Sequence, residues 1–218
     1  MGRGPYGIYR RLFACFGPQH WWPAETPFEV IVGAILTQNT SWRNVEQAIR
    51  RLKKERLLDP GALRRLPSRR LAALIRPAGY YNLKARRLKA FLEFLFNVYA
   101  GDLARMGRQE AGKLRRELLR VNGIGPETAD SILLYAFHKP AFVIDAYTRR
   151  VCARHSLAPE ARDYESLRAF FISKLKADAR LFNEYHALLV KLAKDFCRKN
   201  EPRCGACPLG DEPAKSPA

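Results

Sequence analysis

Apolar residues recur at three- and four-residue spacing through most of the chain. The stretches "FEVIVGAIL" (28–36), "WRNVEQAIRRLKKERL" (42–57), "NLKARRLKAFLEFLFNVY" (82–99), "KLRRELLRV" (113–121), "ETADSILLYAF" (127–137), "YESLRAFFISKL" (164–175) and "FNEYHALLVKLAKDFC" (182–197) all carry it. That period predicts helices with one buried stripe each. Alternation of β-branched and polar residues is scarce, so the pattern predicts an all-α protein. Pro23, Pro27, Pro60-Gly61, Pro67, Pro77, Gly79, Gly101, Gly107, Gly123, Gly125, Pro140 and Pro159 punctuate it, which leaves mostly short connections. No repeat of fixed period is present, and only the tail "GDEPAKSPA" has the composition of a disordered segment.

Composition adds one strong signal. A hydrophobic share of 47% with 28% charged residues is ordinary for a globular protein of 218 residues, enough for one sizeable core or two small ones. No apolar run nears the ~20 residues of a membrane span, and the N-terminus lacks an apolar signal core, so a cytoplasmic protein without membrane attachment is expected. The 39 Lys and Arg against 21 Asp and Glu are the strong signal, giving a net charge of +18 and a pI near 10.1. A solubilising surface needs a magnitude of only about 2–8. So large an excess points to a polyanion, nucleic acid before an acidic membrane surface.

Two local features bear on chemistry. In "LLRVNGIGPETADSILLYAF" (118–137) one helix ends near Val121 and the next begins near Pro126. Gly123 and Gly125 permit positive φ and a close approach of backbone to a ligand, and Pro126 suits a first helical position. Such a turn offers backbone N–H groups at a positive helix end, which suits a phosphate and reads no base. Tight packing alone would also account for the glycines. Asp145 follows Gly125 by 20 residues, at the end of the apolar segment "AFVI". It reads either as the N-cap of the helix "AYTRRVCARH" or as a functional acid.

Taken together, "NGIGPETAD" and "VIDAYTRRV" resemble the helix-hairpin-helix DNA glycosylases of the endonuclease III superfamily, over about residues 27 to 207. The resemblance implies a two-lobed helical fold with a central cleft. Residues 28–140 would form a barrel-like helical domain carrying the hairpin at about 115–136. Residues 1–27 with 141–218 would form the second domain. It also implies an enzyme that flips a damaged base out of double-stranded DNA and removes it, as a monomer. Asp145 matches the catalytic aspartate, which would stabilise positive charge developing on the deoxyribose and orient water. Gly123, Ile124, Gly125, Glu127 and Thr128 would hold a phosphate. Gln38 or Asn39, in "TQNT", would fill the gap left by the flipped base, and Lys84 would belong to a phosphate-binding rim with Arg76, Arg86 and Arg87. Endonuclease III has a lysine nucleophile where this chain has Glu127, so a monofunctional glycosylase using water is expected.

The N-terminal half is closest to MagIII-type 3-methyladenine glycosylases, in "WWPAETPFEVIVGAILTQNTSW" and "LIRPAGYYNLKARRLK". That branch implies an alkylated purine, cationic and weakly bonded to its sugar, with Trp42, Trp22 and Trp21 as stacking candidates. Their plain alternative is core packing. Cys197, Cys204 and Cys207 are spaced like part of the loop that holds a 4Fe-4S cluster in endonuclease III, but Pro213 stands at the fourth cysteine position. The implied ligand set is therefore incomplete unless Asp211, water or an external thiol completes it. Three other readings stay open: a bifunctional glycosylase and lyase for oxidised pyrimidines, a non-catalytic DNA-binding module, and a membrane-surface binder.

Overall fold

The computed structural model describes residues 4–22, 24–161 and 163–210. In chain order its helices are α1 (Pro5–Phe16), α2 (Pro27–Leu36), α3 (Trp42–Lys54), α4 (Pro60–Arg65), α5 (Ser68–Leu74), α6 (Tyr81–Tyr99), α7 (Leu103–Gly107), α8 (Ala111–Leu119), α9 (Pro126–Ser131), α10 (Ala146–His155), α11 (Tyr164–Lys174) and α12 (Ala179–Asp195). No strand occurs among the described residues, and no described helix is long and apolar enough to cross a membrane. The chain divides into two units, Met1–Trp21 with Lys139–Ala218, and Trp22–His138.

In the unit Trp22–His138, α2 is apolar on every side and is accordingly buried from Phe28 to Leu36. Its start is fixed by Thr26, whose side chain accepts the Glu29 N–H at 3.1 Å. Neighbouring α3 is amphipathic and buries Val45, Ala48, Ile49 and Leu52, the positions its period selects. The long α6 packs against α2, α4, α5 and α7. Its Lys89 reaches back to donate to the carbonyls of Leu63 (2.9 Å) and Arg64 (2.7 Å) at the end of α4, where cations suit a helix terminus. Three features differ from the sequence expectation. Helix α1 is not among the stretches the apolar spacing selects, and it buries only Pro5, Ile8 and Leu12. The short α4, α5 and α7 carry too few turns to show a period. The helix expected over 127–137 changes at Ile132 into a buried π-turn, Ile132–Ala136.

In the other unit α12 packs against α1 and α10. Phe142 and Phe171 stack at 4.1 Å between centroids, with Phe182 and Tyr185 set edge-on against Phe142 at 5.3 and 5.7 Å. Each such ring contributes roughly 1.5–3 kcal/mol by leaving water. Phe142 belongs to "AFVI", whose four residues are all buried in irregular, non-helical backbone. Burial anchors that segment, so the residue after it has a fixed place.

Candidate active site

That next residue is Asp145. Its backbone is extended (φ −88, ψ −178), it is the N-cap of α10, and its Oδ1 accepts the Thr148 N–H at 2.7 Å. Its Oδ2 lies 3.5 Å from Nε2 of His186 on α12, and the Asp145 side chain keeps 16% of its surface exposed. Burial pushes the carboxyl pKa up, but the adjacent His186 and the Thr148 hydrogen bond outweigh it and hold the pKa below the ordinary 3.8. The cap and an ionised, partly open carboxylate therefore coexist in one side chain. Nearby Cys152 is no rival nucleophile, because burial and then the Asp145 charge push its thiol up to about 12.

The hairpin is built in the other unit. Arg115 on α8 donates through Nε (2.8 Å) and Nη2 (3.1 Å) to the two oxygens of Asp130 on α9, a carboxylate with no exposed surface. Gly123 has φ 85, and a Cβ there would come within 2.2 Å of Arg87 Cγ, so packing alone requires that glycine. Gly125 does not use the positive φ that a glycine permits: it is extended (φ −89, ψ 178) and a Cβ would meet nothing within 4 Å. The fold itself does not require a glycine there. Ile124 and Thr128 are buried while Glu127 is exposed, so Ile124 could meet a phosphate only through its backbone.

Gln38 braces this turn. Its Nε2 donates to Gly123 O and Thr128 Oγ1, both at 2.9 Å, and its Oε1 accepts from Arg87 Nη1. Asn39, beside it, is exposed in the left-handed region (φ 53). Lys84 requires a correction. Its side chain is only 1% exposed and its Nζ donates to Ala78 O at 2.7 Å. It holds the Gly79 turn from within and cannot sit on a phosphate rim. Burial, and then the Arg87 charge, lower its pKa to about 8.

The two adjacent tryptophans go to different units. Trp22 stacks on Tyr135 (4.6 Å, 18°) and meets Trp42 edge-on (5.3 Å), both rings lying 3.5 Å from where a Gly33 Cβ would be. Its buried indole N–H has no hydrogen-bond partner among the described residues. Trp21 meets His186 edge-on at 6.2 Å and carries the Lys194 ammonium over its face at 5.8 Å. Sequence reasoning missed His186 and Tyr135, each of which looks like one more helical-core residue.

Cys197, Cys204 and Cys207 line one small cavity with Arg154 and His155. Two arginines of α10 tie this loop down: Arg150 Nε donates to Cys197 O (2.7 Å) and Arg154 Nη2 to Lys199 O (2.9 Å). Burial, and the neighbouring cysteines, push the Cys207 thiol up. Among the described residues no set of three His, Cys, Asp or Glu is arranged to hold a metal ion. Three thiols in this arrangement do not fit a cluster that needs four thiolates. Asp211 and Pro213 lie outside the described residues.

Comparison with known proteins bears on this arrangement. Residues 32–176 match the family model described as an HhH-GPD superfamily base excision DNA repair protein. A Methanocaldococcus jannaschii protein named as a candidate DNA repair glycosylase is 48% identical over 206 residues, 94% of this chain and 93% of its own length. The fold is similar to that of Helicobacter pylori 3-methyladenine DNA glycosylase (MagIII) bound to 1,N6-ethenoadenine, with TM-score 0.74 and 25% identity, over 88% of this chain and 97% of that one. It is also similar to endonuclease III in a non-covalent DNA complex, with TM-score 0.81 and 21% identity, over 95% and 92%.

Proposed function

The chain belongs to the HhH-GPD superfamily of base excision DNA repair proteins, and we propose that this DNA glycosylase releases alkylated purines from duplex DNA by hydrolysis, leaving the strand intact. The observation that carries the reading is the Asp145 carboxylate, kept ionised by His186 and Thr148 yet still partly open. As the bond from the sugar C1′ to the base nitrogen breaks, its electron pair leaves with the base and positive charge grows on the deoxyribose. A fixed anion stabilises that charge most where water is scarce. Asp145 then orients water for addition at C1′ and takes up its proton.

An alkylated purine is already cationic, so its departure needs no strong general acid. The half-buried Trp22 and Trp42 rings are the faces suited to such a base, at about 0.5–2 kcal/mol per cation–π contact, with Tyr135 stacked behind Trp22. The likeness to the MagIII enzyme supports the same substrate class. Hydrolysis without strand cleavage is supported by exposed Glu127, which cannot form a Schiff base, and by the engagement of Lys84 with Ala78 O. In the hairpin, Gly125 leaves room for a phosphate to approach the backbone. No step of this chemistry passes through the cysteine loop. Incubation with methylated genomic DNA, followed by chromatography of the free bases, tests the reading: methylated purines are expected in the supernatant, and their absence would refute the substrate class.

A further inference from the structure

The Thr148 N–H binds Oδ1 of Asp145 at 2.7 Å. A carboxylate held at one point turns readily about its last torsion, which has a broad, shallow profile, and a turning anion stabilises a cation less than a fixed one. His186 stands beside the other oxygen. Its Nε2 stands 3.5 Å from Oδ2, whereas the Thr148 N–H binds Oδ1. The imidazole is itself constrained: it is 5% exposed, it sits mid-way along α12 where that helix packs on α10, and the edge contact with Trp21 limits its tilt. Trp21 in turn lies under the Lys194 ammonium, which also covers Tyr147 at 5.8 Å.

We propose that His186 is a positioning residue for the reaction: its ring N–H fixes Oδ2 of Asp145, so that the carboxylate plane, and not only its charge, is set before DNA arrives. This rests on the reading of Asp145 as the catalytic carboxylate. A neutral donor with the same reach performs the task, because what is required is a tie and not a positive charge. Glutamine places an amide N–H close to the position of Nε2, whereas leucine fills the space without a donor.

The test uses full-length protein and two duplexes, one with a cationic pyrrolidine abasic analogue that mimics the charged sugar, the other with its neutral tetrahydrofuran counterpart. The ratio of the two affinities reads the electrostatic action of Asp145 independently of the lesion recognised. Wild type is expected to prefer the pyrrolidine duplex. His186→Leu is expected to lose about 10-fold of that preference with unchanged affinity for the neutral duplex, and His186→Gln to keep most of it. Equal loss in the Gln and Leu variants would overturn the hydrogen-bond tie, and full retention in the Leu variant would overturn the role altogether. Asp145→Asn separates the two claims: if it keeps the preference, or wild type has none, the reading of Asp145 itself falls. A variant that melts well below wild type is replaced by His186→Asn, whose shorter amide falls short of Oδ2 and is expected to behave as the Leu variant does; retention there overturns the role as well.

Discussion

Arg115 grips Asp130 through two parallel hydrogen bonds, 2.8 and 3.1 Å long, and so fastens the helix that enters the Gly123 turn to the helix that leaves it. Asp130 is wholly buried. Removing Arg115 takes two charge-assisted hydrogen bonds from that buried carboxylate, and breaking a buried pair typically costs about 3–5 kcal/mol. Arg115→Met is therefore expected to lower unfolding free energy in urea by that order. Arg115→Met with Asp130→Leu should recover part of it, because the buried charge is then gone.

The two hairpin glycines should respond oppositely. Gly123→Ala forces a Cβ into the left-handed region and onto the Arg87 chain, and should cost about 1–2 kcal/mol or more. Gly125→Ala has an ordinary φ and empty space, so its stability should stay within about 0.5 kcal/mol of wild type. Its affinity for a duplex with an abasic site should nevertheless fall, because the added methyl group stands where a phosphate would approach. Melting curves paired with fluorescence anisotropy check both.

Lys84 should leave a signature in alkali. Its pKa is about 8 in the folded chain against an ordinary 10.5. Between those values the unfolded chain binds more protons than the folded one, so this group makes stability rise with pH. The unfolding free energy of wild type minus that of Lys84→Met should thus grow as pH is raised from 8 to 10. A flat difference would mean that the buried amine titrates normally.

Strand chemistry separates the hydrolytic reading from a lyase. With the exposed carboxylate Glu127, not an amine, at the start of the helix after the hairpin, borohydride added during turnover should trap no protein–DNA adduct. A trapped adduct would move the chain to the lyase reading.

Much of this organisation was legible before any coordinates. Helices long enough to show two or more turns of period, such as α3, α6 and α12, follow from their apolar spacing, and Asp145 is marked by the buried "AFVI" before it and the helix after it. Short α4, α5 and α7 are not, because fewer than eight residues carry too little period, and neither is the twelve-residue α1, which buries only Pro5, Ile8 and Leu12. Lys84 misled because a basic run gives no sign of which side chain turns inward. Only the Gly79 turn, which places Ala78 O within 2.7 Å of its amine, decides that. His186 stayed hidden for the converse reason: the sequence shows a lone histidine in an apolar stripe, and only the packing of α12 on α10 sets it beside Asp145.

The most direct measurement is single-turnover base release from methylated DNA by Asp145→Asn. Asparagine also caps helices well, so this variant should melt near wild type and still bind an abasic-site duplex. Its rate of purine release is expected to fall by about 100-fold or more. Release at the wild-type rate would contradict the assignment of Asp145 as the group that drives the reaction.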